Sequence, residues 1–354
     1  MMSTVKKLSE EIAAGLIDLV PDLNKPVVRK LSLAVAAMLE AQTPNTVELS
    51  NLLPLDTERQ DMREQWLRRL LTSPALCCKK VIAPFASDSL QQATKNGQTI
   101  LLSMDQTDLG DRMAILMLTV RIGGRALPLI WTAEEGSANI GFAKQKQLLE
   151  QVLVWIPEGA KVMLLADRFY PSADLFRWIV GHDWQYRLRL KGNLLADPGV
   201  GNKSTTGELL LSGTTERYLS NVRLFGKDPI KTNIGILHEA GHGEPWIIAM
   251  DCPPTRVAVL DYSSRWAIEP TFSDFKGRGF ELEDSQLIHA DRLERLVLIM
   301  SLAMHWCVRI GQDNATHHPT PLEKKRKNKV TRSIGVSKNL AAVRFLGSPV
   351  GCDI

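Results

Sequence analysis

Tyr262, Arg265, Glu269 and Lys276 stand at offsets 0, 3, 7 and 14 in the stretch YSSRWAIEPTFSDFK. At about 100° per residue, one continuous helix would gather a phenol, a guanidinium, a carboxylate and an ammonium within an arc of ~60°. Two more carboxylates close apolar runs: Asp105 follows TILLSM, and Asp167 follows KVMLLA. Three carboxylates are hard oxygen donors suited to Mg²⁺ or Mn²⁺. A pair of such ions can activate water or a 3′-hydroxyl and stabilise the leaving oxygen in phosphodiester displacement. Plainer readings stay open. Arg265 and Glu269 have the i,i+4 spacing of a solvated ion pair, either Asp can be a turn or cap residue, and Asp108 and Asp111 compete with Asp105.

The elements that must carry these groups follow from periodicity. QTILLSMDQT predicts a strand, RMAILMLTVRIGGRALPLIWTA two more turning at Gly123-Gly124, and GFAKQKQLLEQVLVWI a helix. AKVMLLADRFY predicts a buried central strand, SADLFRWIVGHD a helix ending near Gly181, and WQYRLRLK an alternating strand. Three strands, helix, strand, helix, strand is the order of a ribonuclease-H-like domain. There the first and fourth strands are central neighbours, so Asp105 and Asp167 would meet. Pro270 directly follows Glu269, and a mid-helix proline removes a donor and crowds the preceding turn. Either the helix kinks there or it begins there with Pro270 in its first turn, which would take Tyr262 and Arg265 off the stripe.

The whole chain divides by texture into an α/β protein with helical flanks. Residues 1–95 are expected to be a helical domain, either a DNA-binding domain of helix-turn-helix-like build or a small bundle with a solvated charged face. Its four helices lie in LSEEIAAGLIDLV, KPVVRKLSLAVAAMLEAQ, Thr46 to Leu53 and TERQDMREQWLRRLLTS, the last carrying Arg59, Arg63, Arg68 and Arg69. Residues 96–191 form the first part of a ribonuclease-H-like core, 192–258 a β-rich insertion, 259–311 the second part with the Glu269 helix, and 312–354 a basic tail with Lys324, Lys325, Arg326 and Lys327.

With 354 residues, 44% hydrophobic and 23% charged, this is an ordinary globular composition, and a net charge of +4 permits a nucleic-acid partner without requiring one. LVLIMSLAMHWCVRI is too short and too polar to cross a membrane. The five cysteines lack C-x-x-C spacing and suggest free thiols in a reducing cytoplasm. A phosphate-binding G-x-x-x-x-G-K-[ST] loop is absent, so no nucleotide cofactor is expected. His238-Glu239-Ala240-Gly241-His242 fits the H-E-x-x-H pattern of zinc proteases, but Gly241, Gly243 and Pro245 break helices. A turn between two strands is the expected conformation, with a zinc protease as the remote alternative.

The spacing Y-x₂-R-x₃-E-x₆-K resembles the motif of the DD-E transposases of the insertion-sequence-four family, which include cut-and-paste enzymes working through a DNA hairpin. Asp105 in SMDQTD and Asp167 in LLADRFY are similar to that family's first two acidic positions. RWAIEPTFSDFKGRGFELEDSQL with DRLERLVLIMSLA resembles its third block, and QWLRRLLTSPAL the segment before its first catalytic strand. The resemblance covers roughly residues 65–311. It implies that Asp105, Asp167 and Glu269 bind two Mg²⁺ ions, with Mn²⁺ as substitute. It implies that Tyr262, Arg265 and Lys276 hold DNA phosphates, and that Trp246 stacks on a base flipped from the cut end. The implied partners are double-stranded DNA, as terminal inverted repeats and target, and a second copy of the chain. The implied location is the bacterial cytoplasm, at the nucleoid. A domesticated descendant that binds DNA without cutting it is the alternative.

Overall fold

The computed structural model describes residues 4–199, 202–226, 228–238, 243–277 and 279–317. Five helices come first: α1 (Thr4–Leu19), α2 (Lys25–Ala41), α3 (Thr46–Leu52), α4 (Gln60–Leu71) and α5 (Cys78–Ala93). Pro26 opens α2, where a missing N–H costs nothing, and the Asn45 side chain caps α3 by accepting from the Val47 N–H. The sequence led us to expect four helices here. The fifth, α5, carries Pro84 in its interior, which hides it from a propensity reading.

Three of the four arginines at the basic helix α4 are engaged within the helical region. Arg63 turns inward and donates to the carbonyls of Ser50, Asn51, Leu53 and Thr57, tying α4 to the end of α3. Arg59 pairs with Asp61 at 2.6 Å and Arg68 with Glu64 at 3.1 Å. Among the four arginines, Arg63 is thus a staple of the helical region, its forked guanidinium serving four carbonyls at once.

After α5 come β1 (Ile100–Leu109), β2 (Met113–Ile122), β3 (Arg125–Glu135), α6 (Phe142–Trp155), β4 (Val162–Ala166), α7 (Ala173–Gly181) and β5 (Gln185–Arg189). Then follow β6 (Leu195–Asp197), β7 (Ser204–Thr205), β8 (Glu216–Leu224), β9 (Ile230–Leu237) and β10 (Trp246–Met250). The chain continues through α8 (Arg256–Leu260), a 3₁₀ segment (Asp261–Ala267), α9 (Ile268–Phe275) and α10 (Ala290–His317). All ten strands form one sheet in the order β3-β2-β1-β4-β5-β10-β9-β8-β6-β7. Hence β1 and β4 are parallel neighbours, as strand order alone led us to expect.

The β-rich insertion extends this sheet: β10 pairs antiparallel with β5, and β9 and β8 follow. An unpaired β5 edge would leave a row of backbone donors and acceptors open, and β10 satisfies it. The result is a mixed α/β fold with a large mixed sheet, compatible with a ribonuclease-H-like nuclease domain. Helices α5, α6, α9 and α10 pack on β3. The apolar run LVLIMSLAMHWCVRI forms the core of α10, with Leu296 to Met300 fully buried. Among the described residues, no helix is long and apolar enough to cross a membrane.

His238 lies just past β9, its N–H donating to the Thr215 carbonyl at 2.7 Å, and Trp246 opens β10 opposite Leu237. Residues 239–242, the rest of the zinc-type pattern, lie outside the described residues, as does the basic run at 324–327. The four described cysteines, Cys77, Cys78, Cys252 and Cys307, are free thiols.

Candidate active site

Parallel register puts two acids side by side. Met104 on β1 faces Ala166 on β4, so the next residues, Asp105 and Asp167, emerge on adjacent strands about 4.8 Å apart. The five β4 residues are all buried, which pins Asp167 at the point where the chain leaves the sheet. Asp167 then caps its own turn, its Oδ1 accepting from the Arg168 N–H at 2.7 Å. Asp108 and Asp111 are exposed, and Asp108 accepts from the Gln106 side chain, so Asp105 is the acid of this strand that faces Asp167.

The third acid arrives on a segment held from beneath. Arg187 on β5 is buried and donates to the Ala258 carbonyl, to Asp251 and to Asp261. It thereby locks the junction between α8 and the 3₁₀ segment. Gly235 on β9 serves the same junction: a Cβ there would collide with Val259 of α8. Pro270 is the third residue of α9, where its missing N–H lacks a helical partner anyway. The single stripe expected for Tyr262, Arg265, Glu269 and Lys276 is therefore replaced by a 3₁₀ turn followed by a short helix. Tyr262 and Arg265, three apart, still share a face because 3₁₀ geometry repeats every three residues.

Arg265 is the hub. Its Nη1 donates to Asp105 Oδ2 at 2.6 Å and its Nη2 to Glu269 Oε1 at 3.1 Å, holding both carboxylates within one guanidinium's span. Its Nε is buried without a partner. The guanidinium lies 5.7 Å from the centre of the Tyr262 ring. Tyr262, itself buried, donates its hydroxyl to Asp167 at 3.3 Å. Five of the expected residues, Asp105, Asp167, Tyr262, Arg265 and Glu269, thus come together.

Lys276 does not join them: its Nζ donates to the Asp108 carbonyl at 2.8 Å and pairs with Glu283 at 3.2 Å. Helix α9 ends at Phe275, and Lys276 has left helical dihedrals, which takes it off the stripe. Trp246 packs edge-on against Tyr262 and Trp266, with ring centres 5.4 and 5.3 Å away. Trp266 itself is 43% exposed, giving the cluster an aromatic surface.

Burial, reinforced by Asp167 and Glu269, raises the Asp105 pKa to about 6, against the opposing pull of Arg265 and the Gln106 N–H. Burial works against the Arg265 charge, yet Tyr262, Asp105, Asp167 and Glu269 raise its pKa overall. Burial and then Asp105 and Asp167 raise the pKa of Tyr170, whose hydroxyl lies 3.4 Å from Asp105. The Asp105 shift has a sign that can be checked. Its carboxyl binds a proton more tightly folded than unfolded, so it contributes stability below about pH 4 that is lost as pH rises through about 6. Asp105→Asn is expected to gain melting temperature relative to the wild type as pH rises from about 4 to about 7. A difference that stays constant across that window would remove the shift.

Three groups near the acids had no signal in the sequence. Arg189 sits beside Asp167 at 3.9 Å only because β5 is parallel to β4. Tyr170 reaches Asp105 through the turn after Asp167, and Glu244 reaches Arg168 at 2.7 Å across the sheet end. A sequence shows neither register nor crossing.

As hard oxygen donors that crowd negative charge onto one another, the three carboxylates suit a divalent cation. Among the described residues, however, no group of three or more His, Cys, Asp or Glu side chains is arranged to hold one. Arg265 takes one oxygen from each of two of the acids, Asp105 and Glu269. Its release would free those oxygens.

Residues 142–306 match the family model described as "Transposase DDE domain". That stretch includes Asp167 and Glu269 and stops short of Asp105 and the N-terminal helices. The match supports a DDE transposase, and with it a nuclease-type enzyme. No curated protein matches the sequence. Among solved structures, the chain is similar to the X-ray crystal structure of Marinitoga piezophila Argonaute in complex with 5′ OH guide RNA and target DNA. That likeness has 10% identity and a TM-score of 0.23, and covers 66% of this chain and 33% of that one. The chain thus spans about a third of the length of that structure.

Proposed function

We propose that this protein is the DNA transposase of an insertion sequence. It would cut double-stranded DNA at the element's terminal inverted repeats, pass through a DNA hairpin, and join the freed 3′-hydroxyl to target DNA. The observation that carries this reading is the meeting of Asp105 and Glu269, from β1 and α9, on the guanidinium of Arg265, with Asp167 at the end of the neighbouring β4 and bonded to Tyr262. The family match over residues 142–306 supports it.

In this reading Asp105, Asp167 and Glu269 hold Mg²⁺ or Mn²⁺. Bound ions would supply Lewis acidity at the scissile phosphate and a more acidic attacking water. The chain's own groups do the rest. Arg265 turns from the carboxylates to a phosphate, which its planar fork fits. Tyr262 positions Asp167 through its hydroxyl. Lys276, partly exposed, exchanges Glu283 for a phosphate as a point charge. Two DNA ends must be brought together, so the working form is a homodimer.

The test uses duplex DNA carrying the repeats that flank the reading frame, with Mg²⁺. Nicked strands with 3′-hydroxyls, followed by hairpin ends, are expected. A protein that shifts this DNA without cutting it is a DNA-binding descendant instead.

Trp246, on its aromatic ledge, is proposed to stack on the base that leaves the duplex when the hairpin closes. Flipping a base costs a few kcal/mol, and a stacked ring offsets about 1–3 kcal/mol of it. Trp246→Ala is therefore expected to slow hairpin formation about tenfold while first-strand nicking stays near wild type. Equal loss of both steps would make Trp246 a packing residue only.

A further inference from the structure

Two residues past Asp167 the chain places a phenyl ring in solvent. Phe169 is 48% exposed, while its neighbour Tyr170 takes the buried position. The company of Phe169 is cationic. The Arg168 guanidinium lies 5.6 Å and the Lys191 ammonium 5.0 Å from the ring centre, both within cation–π range. Arg189, next to Asp167, completes three positive groups around this ring and that acid.

Two of these cations share one anion. Glu244 Oε2 sits 2.7 Å from Arg168 Nη1 and 3.7 Å from Arg189 Nη2. The Glu244 side chain is 66% exposed, so it is held at the surface, where solvent screening leaves an ion pair weak. An anion with more oxygens can displace it. A half-open aromatic ring, flanked by cations around a weakly held carboxylate, has the parts that bind one nucleotide: a face for the base and forks for the phosphate.

We propose that Phe169, Arg168, Arg189 and Lys191 form a subsite for one unpaired nucleotide of a DNA strand beside Asp167, with Glu244 standing in the phosphate position of the free protein. This rests on the reading that DNA is the substrate. The nucleotide must be unpaired, because a ring can stack only on a base whose face has left the duplex. The subsite is separate from the Trp246 ledge. Trp246 contacts Tyr262 and Trp266, whereas Phe169 contacts Arg168 and Lys191. The strand leaving the carboxylates therefore has a second aromatic stop on the Asp167 side.

The experiment measures fluorescence anisotropy of a labelled short oligothymidine with the full-length protein in EDTA, so that binding is read without cutting. Phe169→Leu keeps the apolar bulk and loses the π face. It is expected to weaken oligothymidine binding about tenfold and leave binding of a blunt duplex unchanged. Phe169→Trp is expected to restore it. Glu244→Gln removes the competing charge and is expected to tighten oligothymidine binding several-fold, with a steeper salt dependence. Failure of the wild type to bind oligothymidine, or binding by Phe169→Leu equal to wild type, overturns the proposal. So does equal loss of duplex and single-strand binding, which would mark general damage. Wild-type protein that fails to cut end-bearing duplex with Mg²⁺ counts against the transposase reading alone, since the Phe169 dependence in EDTA does not involve cleavage.

Discussion

Glu269→Gln is expected to lower cleavage of end-bearing DNA by about a thousandfold and to leave binding of that DNA within about twofold. The size follows from the several kcal/mol a bound cation contributes at the transition state, at about 1.4 kcal/mol per factor of ten. Glutamine keeps the length and shape of the side chain and still accepts from Arg265, so the hub stays assembled. What it loses is the negative charge that would share the ion. The Glu269 side chain is 58% exposed, so little folding stability depends on it. Nicking on a denaturing gel and binding by mobility shift, run on the same preparation, give both numbers. Cleavage at the wild-type rate would remove Glu269 from the reaction and, with it, the proposed role of the three-acid convergence.

The second large effect falls on stability. Asp274 on α9 pairs with Arg125, the first residue of β3, at 2.7 Å, with side chains only 8% and 13% exposed. Two Arg125 nitrogens, Nε and Nη2, are already buried without a partner. Asp274→Ala leaves that guanidinium buried beside an empty place, which is expected to cost about 3–5 kcal/mol in urea unfolding. Replacing both partners together with apolar residues, Arg125→Met with Asp274→Leu, is expected to recover most of it, since the charge that needed compensation is gone. Loss of less than about 1 kcal/mol in the single variant would show that the pair is solvated in practice. The pair has a second consequence. With the Thr271 hydroxyl, which donates to the Ala126 carbonyl at 2.6 Å, it clamps the helix that bears Glu269 to the edge of β3. The acid most exposed to solvent is thus carried by a helix whose other face is fastened.

Much of this was legible in residue order. The apolar runs ending at Asp105 and Asp167 announced strands that deliver acids. The turn at Gly123-Gly124 and the alternation in WQYRLRLK announced β2, β3 and β5. The order of elements led to the adjacency of β1 and β4. Pro270 itself warned that the Tyr262 to Lys276 stripe could not be one straight helix. These are local signals: period, propensity and the missing N–H of proline act within a few residues and survive in a string of letters.

Tertiary structure decided the rest. It turned Arg63 from a DNA-facing candidate into a staple of α3 and α4, and it sent Lys276 to Asp108 and Glu283. It merged β6 to β10 into the sheet through β5, and so set Arg187 and Gly235 beneath the segment that carries Tyr262. It put Arg265 between Asp105 and Glu269, Arg189 beside Asp167, and Glu244 on Arg189. Each of these choices pairs groups on different segments of the fold, or depends on where a short helix stops. Charge seeks whichever opposite charge or carbonyl the packed backbone brings within ~4 Å, and that distance is set by strand register and helix termination. Residue types and spacing determined which chemistry this chain can carry; the packed sheet determined which of those residues meet.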